Sequence, residues 1–201
     1  MNRAERGTLA ASVLVTVAVL LPLTVLVRDA WSPLKDLDDD TSVALALPHG
    51  LGRDAVLVVT QLGAPLVLEL AAVVIALLVK GRRALYVLVT VLGAELLSTL
   101  LKDAVHRVRP CVDLASCPAT SSFPSGHATG AAAFWVVLAV VLRPRWGRRV
   151  WWLLAVPLVV ATSRVLLGVH YLSDVTAGLL VGGCWAAAWT VLLKSLRGVR
   201  A

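Results

Sequence analysis

Six apolar blocks, separated by short charged connectors, constrain this chain more than any other feature. They run roughly over residues 8–27, 55–79, 84–101, 128–142, 150–168 and 175–193. At about 1.5 Å of rise per residue, helices of this length reach across most or all of a hydrocarbon layer about 30 Å thick. Lipid accepts only elements that pair their own backbone groups, so the blocks read as helices. A water-soluble domain of similar size is about half apolar and about a quarter charged, whereas this chain is 59% hydrophobic and 15% charged. The expected fold is therefore all-α: one polytopic membrane bundle of six transmembrane helices over residues 1–201, without a second domain. A cleaved signal peptide competes for the first block. That block exceeds a usual signal core and no clear small-x-small site follows it, so a retained helix is preferred.

The connectors alternate in character. Lys80–Arg83, Arg143–Arg149 and Lys194–Ala201 hold ten Lys/Arg and no acid, and the N-terminus adds Arg3 and Arg6 against Glu5. The other side holds seven Lys/Arg against nine Asp. The excess of cations on cytoplasmic loops then places both termini in the cytoplasm of a multi-pass plasma-membrane protein. Trp146, Trp151 and Trp152 fall where a cytoplasmic interfacial belt belongs. A net charge of +7 is spread over these loops rather than gathered into a basic stripe with aromatics, which argues against a nucleic-acid partner.

Between the first two blocks, Arg28–Asp54 carries Asp36, Asp38, Asp39 and Asp40 with Pro33 and Pro48 as breakers. It reads chiefly as a solvated loop, with contact to a headgroup or a cation as the lesser alternative. The Val43–Leu47 piece is too short to span and fits an interface. Cys111 and Cys117 lie on the outer side, where a small disulfide ring can persist. Zinc is the weaker reading, because no two-Cys, two-His spacing is present. Cys184 reads as a packing residue.

Three polar clusters interrupt the apolar pattern on the outer side. They are Lys102–Pro110, Pro124–His127 and Ser163–Asp174. His170 and Asp174 stand four residues apart at a helix start, so they share a face. A carboxylate there fixes the imidazole tautomer and aims the other nitrogen outward, the orienting logic of a triad with histidine as nucleophile. Taken alone, such a pair more commonly caps a helix. Ser125 and Gly126 open a helix whose free N–H groups suit an anion, although Ser125 also suits a simple cap. His127 beside them suits a proton donor to a leaving oxygen. Lys102, Arg109 and Arg164 suit phosphate oxygens; juxtamembrane cations ordinarily anchor helix ends at headgroups, but the orientation rule predicts few of them on this side.

In sequence order the clusters resemble the signature of the type 2 phosphatidic acid phosphatase superfamily: Lys-x6-Arg-Pro, Pro-Ser-Gly-His and Ser-Arg-x5-His-x3-Asp. It is met at Lys102, Arg109, Pro110, Pro124, Ser125, Gly126, His127, Ser163, Arg164, His170 and Asp174. The resemblance implies a membrane lipid phosphatase that needs no metal or other cofactor, with its active site at the extracytoplasmic helix ends. In that scheme His170 attacks phosphorus and Asp174 orients it. His127 protonates the leaving oxygen and then activates water. Lys102, Arg109, Arg164, Ser125 and Gly126 hold the non-bridging oxygens. The substrates implied are a polyprenyl diphosphate such as undecaprenyl diphosphate, phosphatidylglycerol phosphate or phosphatidic acid.

Two other functions fit parts of the pattern. A silent lipid-phosphate binding or transport protein has no need of both histidines and Asp174. A vanadate-dependent haloperoxidase shares the phosphate pocket, but six lipid-spanning segments argue against it. Glu69 and Glu95 lie within spans, where carboxylates are functional candidates. Glu95 suits a place near the pocket, one helix face from Lys102, and Glu69 suits helix packing. His106 suits a solvated loop or the border of the site.

Overall fold

The computed structural model describes residues 31–112 and 118–198, with scattered positions between 7 and 28. The expected first span falls largely outside the described residues, as does Cys117, the expected partner of Cys111. The ordered elements are α1 (Ser32–Leu45), α2 (Leu51–Thr60), a 3-10 turn η1 (Gln61–Gly63), α3 (Pro65–Val79), α4 (Gly81–Val105), α5 (Gly126–Trp146), a 3-10 segment η2 (Gly147–Leu154), α6 (Ala155–Leu166) and α7 (Leu172–Gly198). No strand occurs among the described residues. Three helical stretches are long and apolar enough to cross a membrane, Gly81–Val105, Gly126–Leu166 and Leu172–Lys194, and a fourth counts if the bent pair α2–α3 is one span.

Two sequence expectations change. Most of the acidic Arg28–Asp54 run is helix rather than loop: Pro33 sits in the first turn of α1, where its missing N–H costs nothing, and starts a helix rather than breaking one. Within it Asp38 is almost fully buried. The 55–79 block is also broken. Pro65 pushes Ala64 into extended backbone (φ −66°, ψ 128°), and the axis bends by 42° there.

The bundle carries apolar side chains on its outside as well as in its core. Leucines 66, 77, 78 and 96 expose most of their surface outward, a continuous apolar coat that suits lipid and not water. The interior is filled by Leu68, Tyr86, Val87, Val91, Phe134, Val137 and Leu193. α5 is the central helix and touches α3, α4, α6 and α7. Ala128 packs against Ala161 and Val165, so the chain doubles back between α5 and α6, at Gly147 (φ 61°). Small residues set the spacing of α5 and α7: a Cβ on Gly178 would meet the Ser125 carbonyl at 2.7 Å, and one on Gly182 would collide with the Thr129 carbonyl. That closeness brings the starts of both helices to one end of the bundle.

Candidate active site

Each polar cluster sits where a helix begins or ends. Lys102 is in the last turn of α4, which stops at His106 in left-handed backbone (φ 52°). Arg109 follows in the connecting loop, Ser125 stands at the N-cap position of α5 without a side-chain capping bond, Arg164 lies in the last turn of α6 and Asp174 in the first turn of α7. A backbone bond from Ser125 N–H to the Asp174 carbonyl (3.0 Å) ties the second cluster to the third. The loop before α5 is folded back by Ser121 and Ser122. Arg107 N–H donates to Ser121 Oγ (3.0 Å), and Ser122 N–H donates to the Arg107 carbonyl (2.9 Å).

His170 and Asp174 are both buried, with Nδ1 and Oδ2 3.4 Å apart, a long contact. On the other side of the ring, Arg109 Nη1 lies 2.8 Å from Nε2. Guanidinium can only donate, so Nε2 is the bare nitrogen and Nδ1 carries the proton toward Asp174. Burial pushes the His170 imidazole down to about 4, against the opposing pull of Asp174. The ring is therefore neutral at ordinary pH, with a lone pair on Nε2.

The cations surround this ring. Arg109 is fixed by Thr120 O (2.8 Å), Thr120 Oγ1 (3.0 Å), Ser121 O (3.1 Å) and Val169 O (2.9 Å). Lys102 Nζ donates to Ser121 O at 2.9 Å. Arg164 donates from Nη1 to Thr60 Oγ1 (3.2 Å). Its Nε and Ser125 Oγ are buried and find no partner among the described residues. Two such atoms in the same clusters suit the oxygens of an anion, because an unmatched buried polar group is costly. Gly126 lies against Lys102 and Ser98, where an added Cβ would come within 3.8 Å of Lys102 Cε and 3.6 Å of Ser98 Oγ. His127, half-buried at the start of α5, feels the charges of Arg164, Arg109 and Lys102.

All eight residues expected to hold or transform a phosphate thus gather at one end of the bundle. Glu95 lies beside them, close to Gly126 and Gly130, with Oε1 unpartnered among the described residues. It interacts electrostatically with Glu69 and Lys102. His106 is exposed and borders a cavity of about 330 Å³ beside Arg109. A cavity of about 340 Å³ is lined by Arg83, Tyr86, Arg143, Thr190 and Lys194, none of them in the three clusters.

Sequence reasoning missed the layer behind the site. Asp38, Arg107 and Ser173 form a buried network on Asp174, and Thr60 and Thr120 hold Arg164 and Arg109. The available signal was thin: Arg107 was one outer-side cation among seven, and Asp38 one acid in a polar run.

Comparison with known proteins agrees with the geometry. The chain is 36% identical over 124 residues to a lipid A 1-phosphatase of Rhizobium etli, covering 57% of this chain and 51% of that one. It is 34% identical over 95 residues to phosphatidylglycerophosphatase B of Bacillus subtilis, 44% of this chain and 47% of that one. It is 38% identical over 96 residues to decaprenylphosphoryl-5-phosphoribose phosphatase of Mycobacterium tuberculosis, 44% and 49%. The chain thus spans about half the length of the curated relatives it matches. The fold superposes on the crystal structure of a transmembrane PAP2-type phosphatidylglycerolphosphate phosphatase from Bacillus subtilis with a TM-score of 0.72, at 23% identity, covering 92% of this chain and 96% of that one. Residues 83–197, which include all three polar clusters, match the PAP2 superfamily, and the chain belongs to it.

Proposed function

We propose that this chain is a membrane-bound, metal-independent phosphatase that hydrolyses a lipid phosphate or diphosphate through a phosphohistidine. The reading rests on one observation: His170 has its Nε2 bare, its Nδ1 turned to Asp174, and unmatched donors from Arg164 and Ser125 nearby. In the first step the Nε2 lone pair attacks phosphorus and the bond to the lipid oxygen breaks. His127 supplies that oxygen with a proton. In the second step water attacks phosphorus, His127 takes its proton, and the P–N bond breaks to regenerate His170. Lys102, Arg109, Arg164, Ser125 Oγ and the Gly126 N–H carry the charge on the non-bridging oxygens. Phosphoryl transfer depends mainly on such positioning and charge stabilisation.

The wider architecture belongs to the same proposal. Six spans, with both termini cytoplasmic, place the site at the extracytoplasmic face of the plasma membrane, and a Cys111–Cys117 disulfide pins the loop after Pro110. Membrane-level access suits a polyprenyl diphosphate, phosphatidylglycerol phosphate or phosphatidic acid. The relatives are named for lipid A, phosphatidylglycerophosphate and a decaprenyl-linked phosphate, all amphiphiles with a phosphate head.

The test is phosphate release from a panel of purified lipids in detergent, with chelator present, alongside acid-quench trapping of labelled enzyme. Hydrolysis of at least one lipid and an acid-labile label that disappears in His170→Ala are expected. No release from any lipid, or a folded His170→Ala that still turns over, overturns the reading.

A further inference from the structure

Asp38 has no place in the three clusters, lies outside the family match at residues 83–197, and is nevertheless 1% exposed. A buried carboxylate persists only when it is paired and hydrogen-bonded. Asp38 accepts from Arg107 Nη2 (2.8 Å), Ser173 N–H (3.0 Å) and Ser173 Oγ. Arg107 turns its other nitrogen, Nη1, to Asp174 Oδ1 (2.6 Å) and to Ser173 Oγ (2.7 Å). The Tyr171 ring covers the guanidinium, 4.1 Å from its carbon. One rigid fork therefore joins a carboxylate on α1 to the carboxylate behind His170, and aromatic stacking closes a third side. Burial opposes the Arg107 charge, but Asp174 and Asp38 outweigh it and raise its pKa.

The fork divides the labour of Asp174. Oδ1 is held by Arg107, which leaves Oδ2 to accept from Tyr171 N–H (3.0 Å) and to face His170 Nδ1 (3.4 Å). A carboxylate terminus rotates in a broad well. The contact to His170 is long, so the Arg107 bond to Oδ1, together with the Tyr171 N–H bond to Oδ2, sets which oxygen faces the ring. We propose that Asp38 and Arg107 are positioning residues for the reaction: Asp38 seats Arg107, and Arg107 turns Asp174 so that His170 is aimed at phosphorus. This rests on the phosphohistidine reading and adds α1, outside the family signature, to the machinery.

The charges facing His170 give the assignment a second signature. They are Asp174 on α7, Arg109 in the loop after α4, Arg164 on α6 and His127 on α5; Lys102 on α4 acts on Asp174 from farther off. Without Arg107, the imidazolium becomes the closest counter-charge of Asp174, and His170 gains a proton more readily.

The test uses the purified full chain and whichever lipid phosphate the wild type hydrolyses. Arg107 alone cannot be removed cleanly, because two buried carboxylates would be left facing each other. Asp38→Asn keeps the size but turns one of the two accepting oxygens, which face Ser173 N–H on one side and Arg107 Nη2 and Ser173 Oγ on the other, into a donor amide; the double variant Asp38→Asn with Arg107→Gln removes one charge of each sign. Asp38→Asn is expected to lower kcat about 10- to 100-fold, the range for a slight misplacement of reacting groups, with KM within about twofold of wild type. The double variant should in addition shift the acid limb of kcat/KM to higher pH. An active wild type with unchanged kcat in folded Asp38→Asn, an effect on KM alone, or a lowered Tm with kcat intact overturns this assignment and leaves the phosphatase reading standing. An unmoved acid limb in the double variant also overturns it. No hydrolysis by the wild type removes the phosphatase reading, and this assignment with it.

Discussion

Arg109 donates from Nη1 to Nε2 of His170 across 2.8 Å, so the nitrogen assigned to attack is also the one a cation holds. The same guanidinium makes three bonds from Nε and Nη2 to Thr120 and Ser121, and these keep it in place whatever Nη1 does. In the proposed reaction, a phosphate entering beside the ring gives Nη1 an oxygen to bind in exchange for Nε2. One hydrogen bond then fixes the tautomer before binding and stabilises charge afterwards.

Arg109→Ala should therefore fail twice, in holding phosphate and in fixing the ring. The expected fall in kcat is about 10²- to 10³-fold, the range for loss of one preorganised donor to a developing charge, with KM rising as well. Steady-state phosphate release checks it. Arg109→Lys should recover only part of the loss, because an ammonium cannot reach Thr120, Val169 and the phosphate at once.

Asp174→Asn removes the charge behind His170 and breaks the preference for the Nδ1–H tautomer. By comparison with a serine–histidine–aspartate triad, kcat should drop by about 10⁴-fold. The label trapped in acid quench should form slowly rather than accumulate. Rapid-quench kinetics distinguish this from slowed breakdown of the intermediate.

The pH dependence follows from the direction of the His170 shift. Its folded value is pushed down to about 4 by burial, below the ordinary histidine value of about 6.5. The ring is thus neutral and competent above about pH 4, and the acid limb of kcat/KM should lie near there. His127 must be protonated to donate, a state that a bound phosphate anion favours, so kcat at saturating substrate should fall on the alkaline side. Two substrates with different phosphate pKa values separate substrate limbs from enzyme limbs. Linkage has the same sign: between about pH 6.5 and about 4 the unfolded chain binds a proton that folded His170 refuses. This group therefore makes the protein less stable as pH falls through that window, which thermal unfolding measures.

The parts of the site visible in the sequence are those fixed by local spacing. His170 and Asp174 meet because four residues make one helical turn, and Ser125, Gly126 and His127 come together because a helix starts there. Apolar block length likewise foreshadows α4, α5 and α7. Asp38 and Arg107 obey no such spacing, since their bond joins α1 to a loop 69 residues away. In sequence, Asp38 is indistinguishable from Asp36, Asp39 and Asp40; only the packing of α1 against α6 and α7 selects it. The break at Ala64 has a local cause in Pro65, but an apolar window averages over it.

The two adjacent glycines of α7 separate close approach from mere helix composition. Gly182 lies against the backbone of α5, where an added Cβ would collide with the Thr129 carbonyl, whereas nothing lies within 4 Å of a Cβ on Gly183. Backbone cannot swing aside as a long side chain can, so Gly182→Ala must push α5 and α7 apart. The expected cost is about 1–3 kcal/mol, as for other overpacked interiors. Gly183→Ala has open space and gains helix propensity, up to about 1 kcal/mol. Thermal unfolding in detergent should give a lower Tm for the first and an equal or higher Tm for the second. Activity should follow the same order, because the helices Gly182 holds together also carry the Ser125 N–H to Asp174 carbonyl bond. Equal Tm values for the two variants would mean that the α5–α7 contact does not set the geometry of this end of the bundle.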